Sequence, residues 1–224
     1  MRPCSGHPVP VDARVAGGWA RRKVNRLRRR RSAAVRKAIL LLAIAANPLA
    51  LQIALAQQPE PGAAQRYFTD IVLVDQNGTS KRFYTDLLKG KVVVINSFFS
   101  SCKDSCPLMA GALAKVQDWL GDRLGTQAYL ISISVDPETD TPERLKAYAE
   151  RFKAKPGWFF LTGKKENVSL ALRKLGQYVD EKNDHLSMFL LGNDSTGLWK
   201  KVPGTARSDQ VISALEPVLT DRSR

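Results

Sequence analysis

The spacing of hydrophobic and polar positions changes period several times along the chain, and each change marks an element. Lys91–Phe99, KVVVINSFF, and Tyr129–Val135, YLISISV, are nearly unbroken β-branched and aromatic runs, as expected of strands buried on both faces of a sheet. Between them, Leu108, Leu113, Val116, Trp119 and Leu120 predict one apolar face of a helix running to about residue 123. Thr141-Pro142-Glu143 opens a helix that reaches about Phe152, with Thr as N-cap and Pro in the first turn. Trp158–Leu161 reads as a short strand and residues 166–177 as a helix. Ser187–Leu191 and Gly197–Val202 flank Gly192–Thr196 as a hairpin, and Ser208–Leu219 closes the chain as an amphipathic helix with Ser208 at its cap. Upstream, FTDIVLVDQNGTSKRFYTDL places apolar runs around Asn77-Gly78, a strong local signal for a β-hairpin.

Strands alternating with helices predict an α/β domain with a mainly parallel sheet covered on both faces, to which the late hairpin adds an antiparallel edge. That order is the thioredoxin-like arrangement with an N-terminal β-hairpin and a late β-hairpin insertion. The domain spans 66–224, and Gln57–Gly62, rich in Pro, Gly and polar residues, begins a linker over 57–65. In such sheets chemistry collects at the carboxyl ends of the strands, which is where Cys102 falls.

Charge changes the picture upstream of the linker. The chain of 224 residues has a formal net charge of +14, yet residues 1–37 hold 12 Lys and Arg against the single acid Asp12. A nucleic-acid-binding domain carries its basic footprint on the folded surface that meets phosphate. Here the excess sits in a leader without periodicity, read as unstructured and solvated, and no nucleic-acid partner is expected. Ala38–Ala56 follows with no charged residue, close to the ~20 residues a membrane-spanning helix needs. The Arg cluster before it stays cytoplasmic, so everything after residue 56 is expected on the exported face, in the bacterial periplasm. Residues 38–56 thus read as a single N-terminal transmembrane anchor. A cleaved signal peptide ending at Ala54-Leu55-Ala56, releasing a periplasmic protein, is the alternative.

The domain contains only two cysteines and one histidine, because Cys4 and His7 lie in the leader. Cys102-Lys103-Asp104-Ser105-Cys106-Pro107 puts two thiols four residues apart at a strand-to-helix junction. The helix N-terminus is expected to favour thiolate, the form that serves as nucleophile and as soft metal ligand. A plain disulfide is the simplest reading of two neighbouring cysteines in an exported domain. Such a short loop would stabilise the fold little, so a redox pair or a metal site fits the position better. His185 lies in Asn183-Asp184-His185-Leu186-Ser187, directly before the strand Met188–Leu191. In a thioredoxin-like sheet that loop lies beside the Cys-containing loop, so two thiolates and one imidazole converge. Cys₂His suits Cu(I), and holds Cu(II) with an added oxygen ligand. Zinc would take a fourth ligand such as water, and Asp104 or Asp184 offers an oxygen. Asp136 and Asp140 in VDPETDTPE read as turn and capping residues, with a role at the metal rim left open.

Three segments together, FFSSCKDSCP, SISVDPETDTPERLKAYAERF and the DH before MFLLGNDSTGLWKKVPG, resemble the Sco/SenC copper chaperones of cytochrome c oxidase assembly. The resemblance covers residues 66–220. It implies copper on Cys102, Cys106 and His185, a single N-terminal membrane anchor, and delivery to the copper-bearing subunit of the oxidase or to another copper protein. A thiol–disulfide oxidoreductase using Cys102 and Cys106 as its redox pair, and a redox or copper sensor, are the alternatives. Family members often carry Thr-x-Cys-Pro-Asp-x-Cys-Pro, whereas this chain has Lys103 in place of the first Pro and a polar stretch, Val179–Asp184, before the histidine. Ordinary thioredoxins are less similar, with CxxC and a cis-Pro where this chain has His185-Leu186-Ser187.

Overall fold

The computed structural model describes residues 62–182 and 187–223. Helix α1 (Ala63–Phe68) begins inside the stretch read as linker and leads into β1 (Val72–Asp75) and β2 (Ser80–Arg82). These strands pair antiparallel around a turn in which Gly78 takes φ 76°, a left-handed conformation that glycine adopts without steric cost. The hairpin stops at Arg82. Phe83–Leu88 coils into a π-helical turn that buries Phe83, Tyr84, Leu87 and Leu88. The Asp86 carboxylate holds that turn by accepting from the Arg82 backbone N–H at 2.8 Å and from its guanidinium.

Next come β3 (Val92–Phe98), α2 (Ser105–Leu120), a 3₁₀ turn at Gly121–Arg123, β4 (Ala128–Ser134), α3 (Pro142–Arg151) and β5 (Trp158–Thr162). Then follow α4 (Lys165–Leu175), β6 (Met188–Asn193), β7 (Leu198–Pro203) and α5 (Ser208–Thr220). Thr141 caps α3 as expected, its hydroxyl accepting from the Arg144 N–H. At α5 the cap is Arg207 rather than Ser208, and the Arg207 N–H donates to the Gln210 side chain at 2.9 Å.

One sheet of seven strands runs β2-β1-β5-β4-β3-β6-β7. Parallel pairing is confined to β3–β4–β5, and every other pair is antiparallel. The sheet is therefore less parallel than the alternation of elements predicts, because both hairpins add antiparallel strands. Along β3, Val92, Val94 and Phe98 enter a core with α2, α3 and α5, while Val93 and Ile95 enter another with α4 and the π-turn. This alternation is the period-2 side-chain rule applied to a strand covered on both faces.

Helix α2 buries Cys106, Met109, Ala110, Leu113, Val116, Gln117 and Leu120. Leu108, which the sequence places on that face, is 76% exposed and lines a groove of about 640 Å³ between α2 and the segment 204–209 that leads into α5. Among the described residues no helix is long and apolar enough to cross a membrane. The leader 1–37 and the run 38–56 lie outside the described residues.

Candidate metal centre

The segment from Phe99 to Asp104 carries the chain from the carboxyl end of β3 into α2. Its first turn closes where the Cys102 N–H donates to the Phe99 carbonyl at 3.1 Å. Cys102 is half-buried, whereas Cys106, second residue of α2, is 1% exposed because it starts the core-facing side of that helix. Both are reduced, and they are hydrogen-bonded to each other. Burial, reinforced by that hydrogen bond, pushes the Cys106 thiol up to about 12. The expectation that the helix N-terminus eases ionisation is therefore overturned at Cys106. Loss of solvation outweighs the helix end there.

Asp140 fastens the start of this loop. Its buried carboxylate accepts from the Ser100 N–H at 3.0 Å, from the Ser100 hydroxyl, and from the Ser134 hydroxyl at 2.6 Å. The Asp136 N–H donates back to Ser134 Oγ at 3.0 Å. The loop after β4 and the loop after β3 are thus one hydrogen-bonded unit, a role for Asp140 well beyond turn and capping chemistry.

His185, with Asn183, Asp184 and Leu186, lies outside the described residues. The residues on either side of that gap are placed on the Cys loop. Lys182 Nζ lies 2.8 Å from the Asp136 carboxylate and 5.6 Å from the centroid of the Phe99 ring. Desolvation pushes the Asp136 carboxyl up, but hydrogen bonds from Lys182 and Thr139 outweigh it and hold the carboxyl below its ordinary value. On the far side, Ser187 Oγ donates to Ser105 Oγ at 3.0 Å, next to Cys106. The Ser187 carbonyl accepts from the Gly204 N–H at 2.7 Å. A Cβ on Gly204 would stand 2.6 Å from the Ser187 carbonyl carbon and 2.9 Å from Met109 Sδ, so glycine is what lets these backbones approach.

Among the described residues no group of three or more His, Cys, Asp and Glu side chains gathers as a metal site. The structure thus brings Cys102 and Cys106 together, with Ser187 hydrogen-bonded to the residue before Cys106 and Lys182 over the Phe99 ring. Sequence reasoning missed the Asp140 tether, the Ser105–Ser187 contact and the close approach at Gly204. Each joins residues far apart in the chain, and the only local hint was the Asp preceding the Thr-Pro cap.

The SCO1/SenC family model matches residues 59–220. The SCO1 protein homolog of Bacillus subtilis is 30% identical over 156 residues, covering 65% of this chain and 80% of its own. The chain spans less of other curated relatives, 53% of one from Stutzerimonas stutzeri named for copper binding and 63% of a SCO2-like protein of Rickettsia conorii. Among solved structures, Bradyrhizobium japonicum ScoI with copper bound superimposes with a TM-score of 0.55 at 25% identity, over 66% of this chain and 96% of that one. BsSco, described as a Sco-family cytochrome c oxidase assembly protein with a disulfide switch, matches with a TM-score of 0.55 at 28% identity, over 66% and 91%. A family match over most of the chain, and a thioredoxin-like fold shared with solved Sco proteins, establish that this chain belongs to the SCO1/SenC family.

Proposed function

We propose that this chain is a metallochaperone that binds copper through Cys102, Cys106 and His185 and passes it to the dinuclear copper centre of cytochrome c oxidase or to another exported copper protein. One observation carries the reading. The Ser187–Ser105 hydrogen bond ties the residue two positions after His185 to the residue immediately before Cys106, which supports counting His185 with the two cysteines as a ligand. Two residues of chain span at most about 7 Å. The donor set fits the cargo, since thiolate and imidazole suit copper as Cu(I), or as Cu(II) with an added oxygen ligand. A family relative solved with copper bound is consistent with it.

In this reading the copper ion is cargo, and the chain's own residues do three things. Cys106 gives up its proton to solvent as the metal arrives, which turns a thiol stabilised by burial into a ligand. Half-buried Cys102, the more accessible of the two sulfurs, is the one a recipient's ligands would reach first. The tether through Asp140 and Ser100 keeps the Cys loop in place while ligands exchange. Export fits the same role, with residues 38–56 as anchor and the domain on the periplasmic face.

The hydrogen bond between the thiols favours one second reading, a thiol–disulfide oxidoreductase that needs only the cysteines. Copper stoichiometry and chelator competition for the wild type and for His185→Ala, Cys102→Ser and Cys106→Ser, run beside a disulfide-reduction assay, separate the two. We expect all three variants to lose copper retention and only the cysteine variants to lose reductase activity. Wild-type retention by His185→Ala would remove the three-ligand site and leave thiol–disulfide exchange.

A further inference from the structure

Four large hydrophobic side chains are exposed among the described residues, Tyr67, Val72, Leu108 and Leu170. Three of them share one side of the domain. Tyr67 Oη donates to the Lys174 carbonyl at 3.0 Å, and Asn167 Nδ2 donates to the Val72 carbonyl at 2.9 Å. Asn167, Leu170 and Lys174 fall on one face of α4 by their spacing, so Leu170 stands between those two contacts. The patch continues across α1 into a groove of about 430 Å³ lined by Tyr67, Phe68, Leu190 and Trp199 among others. The Phe68 ring centroid lies 5.0 Å from that of Tyr67 and 5.7 Å from that of Trp199. Cations rim this surface. Lys174 Nζ lies 4.8 Å from the Tyr67 ring centroid, Arg66 is exposed on α1, and Lys201 is exposed two residues after Trp199, on the same side of β7. Helix α1 holds no acid, and the only acid of α4, Glu166, stands at the opposite, amino end of that helix.

We propose that this side of the domain rests on a bilayer surface that bears anionic phospholipid. The inference goes beyond copper binding and rests on residues 38–56 being an anchor. Two observations select lipid as the occupant. Exposed aromatic and aliphatic side chains ringed by Lys and Arg are the composition that settles at a headgroup boundary, with the rings at the interface and the cations on phosphate. The chain also leads there. Gly62, at the start of α1, is six residues from the end of the apolar run at Ala56, and six residues span at most about 22 Å. Docking by this surface leaves the cysteines accessible. Trp199 pairs with Gly192 and Gly192 with Val93, in the amino-terminal half of β3, whereas the Cys loop leaves the carboxyl end of that strand. The aromatic end of the patch is thus remote from the thiols along the sheet, and a domain resting on it holds Cys102 toward the aqueous side.

The test uses the full chain reconstituted into vesicles, with the photo-crosslinker p-azidophenylalanine at position 67, at position 170 or, as the control, at position 108, the exposed leucine of α2. Circular dichroism first checks each labelled chain against the wild type, and position 170 stands in if the label at 67 disturbs α1. After illumination, mass spectrometry counts phospholipid adducts. In vesicles of mixed phosphatidylglycerol and phosphatidylcholine, positions 67 and 170 should carry the adducts and position 108 few. Their yield should fall by about fivefold in phosphatidylcholine alone, the weight of one cation at an anionic surface, and should fall likewise in high salt. Equal yields at all three positions, in a chain that carbonate does not extract from the vesicles, overturn the inference and leave the anchor reading standing. Crosslinks from 67 and 170 to protein instead of lipid assign the patch to a protein partner and overturn it too. Adducts at 67 and 170 that ignore lipid charge overturn the anionic selectivity. A chain that carbonate washes off the vesicles overturns both the anchor and the inference.

Discussion

In the copper reading proposed above, Cys106 combines a structural and a chemical role. As a thiol it completes the buried face of α2 and hydrogen-bonds to Cys102. As a thiolate without metal it would be a charge in a place that resists charge. The consequence is a pH dependence whose sign follows from the raised pKa. At every pH below about 12 the metal-free Cys106 is protonated, so metal must displace that proton, and alkaline conditions favour loading. Apparent copper affinity should therefore climb between pH 6 and 9 by about tenfold per unit for each proton displaced. Calorimetry in buffers of differing ionisation enthalpy reads the proton count directly. An affinity flat over that range would mean that Cys106 enters the site already ionised, or not at all.

At the scale of elements, the site depends on how three loops are pinned to one another: the Cys loop, the loop after β4 held by Asp140, and the start of β6 held by Ser105 and Gly204. Gly204→Ala tests the last of these. Its Cβ would stand 2.6 and 2.7 Å from the Ser187 carbonyl carbon and oxygen, and these are backbone atoms that cannot rotate away. The turn between β7 and α5 must then shift, at a cost of about 1–3 kcal/mol as for other overpacked positions. Copper retention should fall as the Ser187–Ser105 contact loosens. Urea unfolding together with chelator competition checks both effects, and unchanged values in both would show that the close approach has slack.

These contacts mark where the sequence stops being legible. Strands such as Val92–Phe98 and Ala128–Ser134 were plain from their β-branched runs, and Thr141-Pro142 announced a helix start, because both signals are local. Leu108 lies off the buried stripe of α2 because five residues separate it from Leu113, about 140° around a helix. The Cys pair was visible as a motif. The partners of its loop were not, since Ser100 meets Asp140 across 40 residues and Ser105 meets Ser187 across 82, and no periodicity encodes such distances.

On the scale of the whole molecule, the described domain is a sheet with a hydrophobic layer on each face, and among the described residues both layers are built from residues 64 onward. The parallel centre is further held by a buried polar chain. Trp158 Nε1 donates to Ser132 Oγ at 3.1 Å, and that hydroxyl donates to Asn96 Oδ1 at 2.8 Å. Bonds of this kind fix strand register, because a one-residue slip would turn the polar groups to the wrong face and leave them unpaired. The outer strands carry Lys81 and Arg82 at one edge and Lys200, Lys201 and Pro203 at the other, residues that discourage pairing with another sheet. A domain with its own core, fixed register and guarded edges should fold by itself. A fragment of residues 60–224 is therefore expected to be soluble and monomeric, to unfold in a single cooperative transition by circular dichroism in urea, and to bind copper with the stoichiometry of the full chain in detergent. An unfolded fragment beside a folded full chain would show that the domain needs residues before 60. A folded fragment with lower copper stoichiometry would instead assign part of the site to those residues.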